Sequence, residues 1–257
     1  VLKLLRSLVI AFAMYSRVPM PRVNWDEKGM KYAMCFFPAV GAGLGGLCAL
    51  VYRLLVLCQA PDLLRAALLA VLPFVYTGGI HMDGFMDTQD AIHSYGDRQK
   101  RLAILKDSHI GAFAAISAFV YMILSLGLFS VANGSTIPAI AASYVYSRIL
   151  SAIAVVAFPK AKKDGTLRTF SDQSGNRVFP ILLVELTCFA AAALVLLRLQ
   201  GAVLLAAGAL VFAWYHHLAV KTFGGTTGDL AGYFACEAEI YMLLAIVFLQ
   251  LIERSIG

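Results

Sequence analysis

Apolar runs alternate along this chain with short turns and longer polar loops, and the lengths of the runs predict its elements. Runs of about 33–57, 62–79, 111–131, 138–158, 179–199, 202–219 and 234–253 each approach the length at which an α-helix crosses a bilayer. Asn133-Gly134-Ser135 reads as a tight turn between two of them, and Gly201 as the centre of another hairpin. Longer polar segments occupy 80–110, 159–178 and 220–233. Ahead of the first run, residues 2–16 mix apolar positions with Lys3 and Arg6 and are short for a span, so they read as an interfacial or re-entrant helix. Pro19 and Pro21 stop it, and Asn24 to Lys31 forms a polar connector. The predicted fold is all-α, a polytopic transmembrane bundle of about seven spans in one domain, residues 1–257, without repeats or low-complexity tracts. Gly41, Gly43, Gly45 and Gly46 would let its first span approach a neighbour closely.

Composition excludes the soluble alternative. Sixty per cent of the 257 residues are hydrophobic, 14% are charged, and the mean hydropathy is +0.78. The net charge of +6 would suit nucleic acid, but its position argues otherwise. Sixteen of the 21 Lys and Arg lie in the N-terminal segment and the three polar loops, four lie at the opposite ends of the runs, and Arg148 lies within one. That bias predicts that the N-terminus and the polar loops face the cytoplasm, from a cytoplasmic (inner) membrane. The expected partners are membrane lipid and phosphorylated substrates, not nucleic acid. Cys35, Cys48, Cys58, Cys188 and Cys236 form no CxxC pair and read as small buried hydrophobes. The first apolar stretch has no convincing small-residue cleavage site, so no cleaved signal is expected.

Chemistry concentrates in the polar loops. If Ile80–Asp90 is helical, Asp83, Asp87 and Asp90 stand at i, i+4 and i+7 on one face, after Gly78-Gly79 and around Gly84. Carboxylates that close repel one another, and a hard cation such as Mg²⁺, which shares its ligands with substrate phosphates, relieves that repulsion. A second constellation is Gly224-Gly225-Thr226-Thr227-Gly228-Asp229, followed by Glu237 and Glu239. Its glycine-rich turn, with Gly225 and Gly228, can offer backbone N–H groups to phosphate, with Asp229 as the other half of a metal site; a flexible loop capped by Thr227 or Asp229 is the plainer reading. Lys106-Asp107-Ser108-His109-Ile110-Gly111 is a third, where Lys106 binds phosphate or anchors at the membrane edge and His109 moves a proton or donates to phosphate. His81 and His93 flank the carboxylates and His216-His217 looks interfacial. Arg148, inside a span, needs a partner: a site carboxylate, Glu185 or a substrate phosphate. No Ser-His-Asp or Cys-His set competes, so metal-assisted phosphoryl transfer is the expected chemistry.

These residues resemble the cobalamin synthase family, the adenosylcobinamide-GDP ribazoletransferases. The resemblance runs through Gly78 to Gly84 with Asp87 and Asp90, Lys106 to Gly111, and Thr227-Gly228-Asp229. It continues at Arg17 to Pro21, Phe37 to Gly41, and Arg148 with Pro159 and Gly165, nearly the whole chain. It implies a Mg²⁺-dependent membrane enzyme that transfers the cobinamide phosphate of adenosylcobinamide-GDP to α-ribazole or α-ribazole 5′-phosphate. GMP leaves, and adenosylcobalamin or its 5′-phosphate forms. On this resemblance the metal ligands are Asp83, Asp87, Asp90, Asp229 and Glu239, with Asp83, Asp87, Asp229 and Lys106 catalytic. His81, Asp107, Ser108, His109, Arg148, Gly225 and Gly228 are then the candidates for holding substrate. Three positions depart from the family pattern: His109 stands where Arg is usual, and Gln89 and Ala91 replace smaller residues. A homo-oligomer and handover from other corrinoid-pathway enzymes are compatible partners. The rival readings are a CDP-alcohol phosphotransferase, which would need an Ala-Arg pair where Phe85-Met86-Asp87 stands, and a cation-coupled transporter.

Overall fold

A computed structural model describes residues 2–161 and 177–256. The described residues are almost entirely helical, and one parallel bridge, Lys160 to Thr226, is the extent of their β pairing. In chain order the helices are α1 (Leu2–Tyr15), α2 (Glu27–Met30), α3 (Phe37–Leu57), α4 (Asp62–Thr77), α5 (Ile80–His93) and α6 (Arg98–Ile104). They continue with α7 (Ala112–Val131), α8 (Ile137–Ala157), α9 (Val178–Leu197), α10 (Leu199–Leu218) and α11 (Gly228–Ile256). Among the described residues six stretches are long and apolar enough to cross a membrane, and α4 with α5 passes the same test only as a pair bent by 94°. The chain is an integral membrane protein, with six such spans among the described residues, or seven with the broken one.

Proline marks the start of α3 and of α8, where its missing N–H costs nothing. The bundle is organised on α8, of which 78% is buried, against 11% for α9 at the periphery. Helices α3 and α8 approach closely because Gly41 and Gly45 face the backbone at Tyr144 and Ala141, where a Cβ would collide with a carbonyl oxygen. One contiguous apolar cluster then runs from Ile10 in α1 to Val247 in α11. Helix α1 joins it through fully buried Ile10 and Ala11, and Ser7 donates to the Gly29 carbonyl at 2.6 Å.

The structure corrects several boundaries. The 80–110 segment, read as polar and only conditionally helical over Ile80–Asp90, folds into α5 and α6, and α5 packs between α7 and α11 through Phe85. Gly78 and Gly79, with φ of +68° and +84°, turn the chain between α4 and α5, a conformation that residues with a Cβ adopt only at a cost. The last polar loop ends early, because α11 begins at Gly228 and takes Asp229 into its first turn. The α9–α10 reversal lies at Arg198, φ +51°, and Gly201 instead lets α10 pass the Ala193 carbonyl. Asn133 closes the predicted turn by accepting from the Ser135 amide at 3.0 Å. The five cysteines are all free, but Cys58 and Cys188 are exposed, so only Cys48 and Cys236 are the buried hydrophobes expected.

Candidate active site

The two acidic motifs meet through their backbones. Gly84, on α5, lies against Asp229 of α11: an added Cβ would stand 2.5 Å from the Asp229 carbonyl oxygen and 2.9 Å from its Cα. One turn away, Gly232 leaves 3.2 Å between its own Cβ position and the His81 backbone. Phe85 stacks on Tyr233 at 5.7 Å between centroids, which locks the register of the two helices.

This packing opens a cavity of about 220 Å³ in which Asp83 and Asp229 share the wall with His81 and Gly228. Tyr15 of α1, Phe37 of α3, and Ser151 with Val155 of α8 close the other sides. Each helix contributes from the same end of the bundle: α1 by its last residues, α3 and α5 by their first, α8 by its last turns, α11 by its first. That is the end from which the Lys- and Arg-rich loops depart. Asp83 is exposed and Asp229 is half-buried, with the Thr227 hydroxyl 3.4 Å from its carboxylate. Asp87 is half-buried one turn further along α5.

Other expected residues are used differently. Asp90 accepts from the amides of Gly111 at 2.6 Å and Ala114 at 2.9 Å, so it caps α7, where a negative charge also meets the positive end of the helix dipole. Glu239 is buried and ion-paired with Arg148, which resolves the partner that Arg148 needed; Ser147 also donates to Glu239, at 3.4 Å. Each of these two carboxylates thus has a protein partner of its own. Among the described residues no three His, Cys, Asp or Glu side chains converge on a single ion position. Three amides of the glycine-rich turn, those of Gly224, Gly225 and Thr226, are taken by Val220, Ala219 and Pro159 at 3.0, 2.8 and 2.8 Å, so Gly225 does not offer its N–H to a ligand. Thr227 provides the cap, accepting from Leu230 at 3.2 Å.

Lys106, Asp107, Ser108 and His109 lie on an exposed loop that does not line the cavity. The loop is tethered to α5 through Asp90, seven residues or about 10 Å of helix from Asp83. His109 donates to Asp107 at 2.6 Å from its ring and 3.0 Å from its amide, and these bonds hold the Asp107 carboxyl below its ordinary pKa. In the polar loop 159–178, Lys162, Lys163 and Arg168 lie outside the described residues, as does Gly165.

The chain matches cobalamin-5-phosphate synthase over residues 7–247. It belongs to that family. It is 43% identical over 250 residues to the adenosylcobinamide-GDP ribazoletransferase of Lachnoclostridium phytofermentans, covering 97% of this chain and 96% of the relative. Relatives of the same name from Clostridium botulinum (strain Alaska E43 / Type E3), at 31% over 94% and 97% of the two chains, and Desulfitobacterium hafniense (strain Y51), at 32% over 93% and 96%, are also similar. No solved structure matches. Membership of the cobalamin-5-phosphate synthase family makes the chain an enzyme, a transferase of cobalamin biosynthesis, and sets the transporter reading aside.

In this member of the family, sequence reasoning missed the apolar wall of the cavity: Met14, Tyr15, Met34 and Phe37, with Ser151 and Val155 from α8. Tyr15 sits just before the Arg17–Pro21 stretch and Phe37 opens the Phe37–Gly41 stretch, so the family resemblance already pointed to this neighbourhood. Nothing in hydropathy alone sets these residues apart from ordinary core.

Proposed function

We propose that the chain transfers the cobinamide phosphate of adenosylcobinamide-GDP to the ribose hydroxyl of α-ribazole, or of its 5′-phosphate, with release of GMP, and that it requires Mg²⁺. The hydroxyl oxygen forms the new bond to the phosphorus that carries cobinamide, the bond from that phosphorus to GMP breaks, and the hydroxyl proton leaves to solvent. The observation that carries this reading is the cavity in which Asp83 and Asp229, from two distant motifs, face one space. Their oxygens suit a hard cation that takes one or two protein carboxylates and completes its shell with water and substrate phosphate. Asp83 and Asp229 would hold Mg²⁺, with Asp87 one turn along α5 as a further ligand. When bound, the ion neutralises the pyrophosphate and the departing GMP oxygen.

Several residues of the chain suit the rest of the task. Tyr15 and Phe37 give an apolar, aromatic wall against which a planar base or the corrinoid edge packs and from which water is excluded. The Lys- and Arg-rich loops, Lys106 included, depart from the end of the bundle where the cavity lies, and that bias would draw a polyanionic substrate toward the carboxylates. Asp90 and Glu239 are left out of the proposed ligand set because each already has a structural partner. The positive-inside bias supports a cytoplasmic position for this end of the bundle, in the inner membrane.

GMP release by purified protein in detergent, given adenosylcobinamide-GDP, α-ribazole and Mg²⁺, tests the proposal. Turnover is expected to need Mg²⁺ and to fall by at least about 100-fold in Asp83→Asn and in Asp229→Asn. Folded protein that releases no GMP would sink the reaction; unchanged turnover in either variant would sink the shared carboxylate site.

A further inference from the structure

The cavity holds a buried polar group that the proposed reaction has not used. His81, in the first turn of α5, is 6% exposed, and its Nε2 has no hydrogen-bond partner in the protein. The other ring nitrogen, Nδ1, lies 3.3 Å from Nη2 of Arg148. A guanidinium has five N–H donors and no acceptor, so Nδ1 receives this bond and the imidazole proton resides on Nε2. His81 therefore carries an N–H donor whose acceptor is missing. Arg148 is held in turn by Glu239 and Ser147, and Tyr15 and Phe37 fix the imidazole plane with ring centroids 6.2 and 5.9 Å away.

Buried donors are nearly always satisfied, and an orphan on a residue that lines a cavity calls for an acceptor, which a ligand oxygen supplies once the atoms covering Nε2 give way. We infer that His81 donates from Nε2 to an oxygen of the substrate's pyrophosphate, and that Arg148 and Glu239 are positioning residues that set its tautomer and ring plane. This rests on the cavity being the substrate site. The two cavity carboxylates do not take the bond, although Asp83 is only two residues along the same helix. An acceptor reaching His81 would therefore lie beside the position those carboxylates give to a cation and its phosphates. A neutral N–H with a cation directly behind it is a strengthened donor, suited to an anionic oxygen.

Two measurements test the inference. In the full chain labelled with ¹⁵N-histidine, the His81 signals, assigned by their loss in His81→Gln, should report the Nε2–H tautomer. The Nε2 resonance should shift when Mg²⁺ and GDP are added as a pyrophosphate probe. A proton on Nδ1, or an Nε2 signal that ignores the probe, would overturn the proposal, whether or not the protein turns over. In GMP-release assays His81→Ala should lose about 100-fold in kcat, as when one aligned donor is removed from a transition-state oxyanion. The Mg²⁺ concentration for half-maximal rate should stay within about twofold, because that variant leaves the carboxylates in place. His81→Gln, whose amide N–H reaches the Nε2 position, should recover at least tenfold of the loss. Equal losses in both variants would mean that the ring only packs the cavity wall. A wild-type protein that releases no GMP yet shows the tautomer and the probe-dependent shift would overturn the assigned reaction and keep the donor.

Discussion

At the residue scale, the three aspartates of α5 divide into unlike roles although they share a helix face. Asp83 faces the cavity, whereas Asp90 is committed to the first turn of α7. Asp90→Ala should therefore lower stability by about 1 kcal/mol, the usual worth of an N-cap, and leave the Mg²⁺ requirement of turnover unchanged. Unfolding midpoints in mixed micelles together with a Mg²⁺ titration check this, and a raised Mg²⁺ requirement would return Asp90 to the ligand set. The i, i+4, i+7 spacing was legible because helical periodicity alone dictates it. The division of labour was not, because the amides that occupy Asp90 lie 21 and 24 residues later in the chain, at the start of another helix. The pairing of Glu239 was hidden for the same reason, because its partner lies 91 residues away.

At the element scale, hydropathy located the spans because lipid allows a crossing chain few alternatives to an apolar helix. The same signal left α5 undecided, because three aspartates and two histidines make it polar; tertiary packing against α7 and α11 stabilises its helix. The π-helical turn at Ala219–Phe223, which carries α10 into the glycine-rich turn, had no sequence signal either. Helices α8 and α11 are joined by the Arg148–Glu239 pair, and that junction makes a prediction in two steps. Arg148→Met alone should destabilise the protein by roughly 3–5 kcal/mol, because it strands a buried carboxylate. Arg148→Met with Glu239→Leu should recover most of that loss and yet stay inactive. Thermal unfolding of the single and double variants, with GMP release in parallel, separates the two effects. Activity in the double variant would remove the pair from the site.

At the scale of the whole molecule, the charge pattern and the cavity agree on one end of the bundle. The parts of the site lie about 150 residues apart in sequence between α5 and α11, and helix packing brings them together there. Sidedness follows from the Lys and Arg bias and is open to direct labelling. In cells, a membrane-impermeant maleimide should label a variant whose one cysteine is the exposed Cys58, just beyond the far end of α3. A cysteine-free background carrying Ser108→Cys should react only after lysis. The reverse pattern would invert the proposed topology.

The distance in sequence between Arg148 and Glu239 also has a consequence during synthesis. The guanidinium emerges in α8, the most enclosed helix of the bundle, 91 residues before its counter-charge. At about 5–20 residues per second, translation leaves that cation waiting for roughly 5–20 s. Until α11 arrives, α8 carries a charge that lipid tolerates poorly. The candidate cavity is thus closed only when α11 packs onto helices made well before it, so its two carboxylates come together late in the order of synthesis.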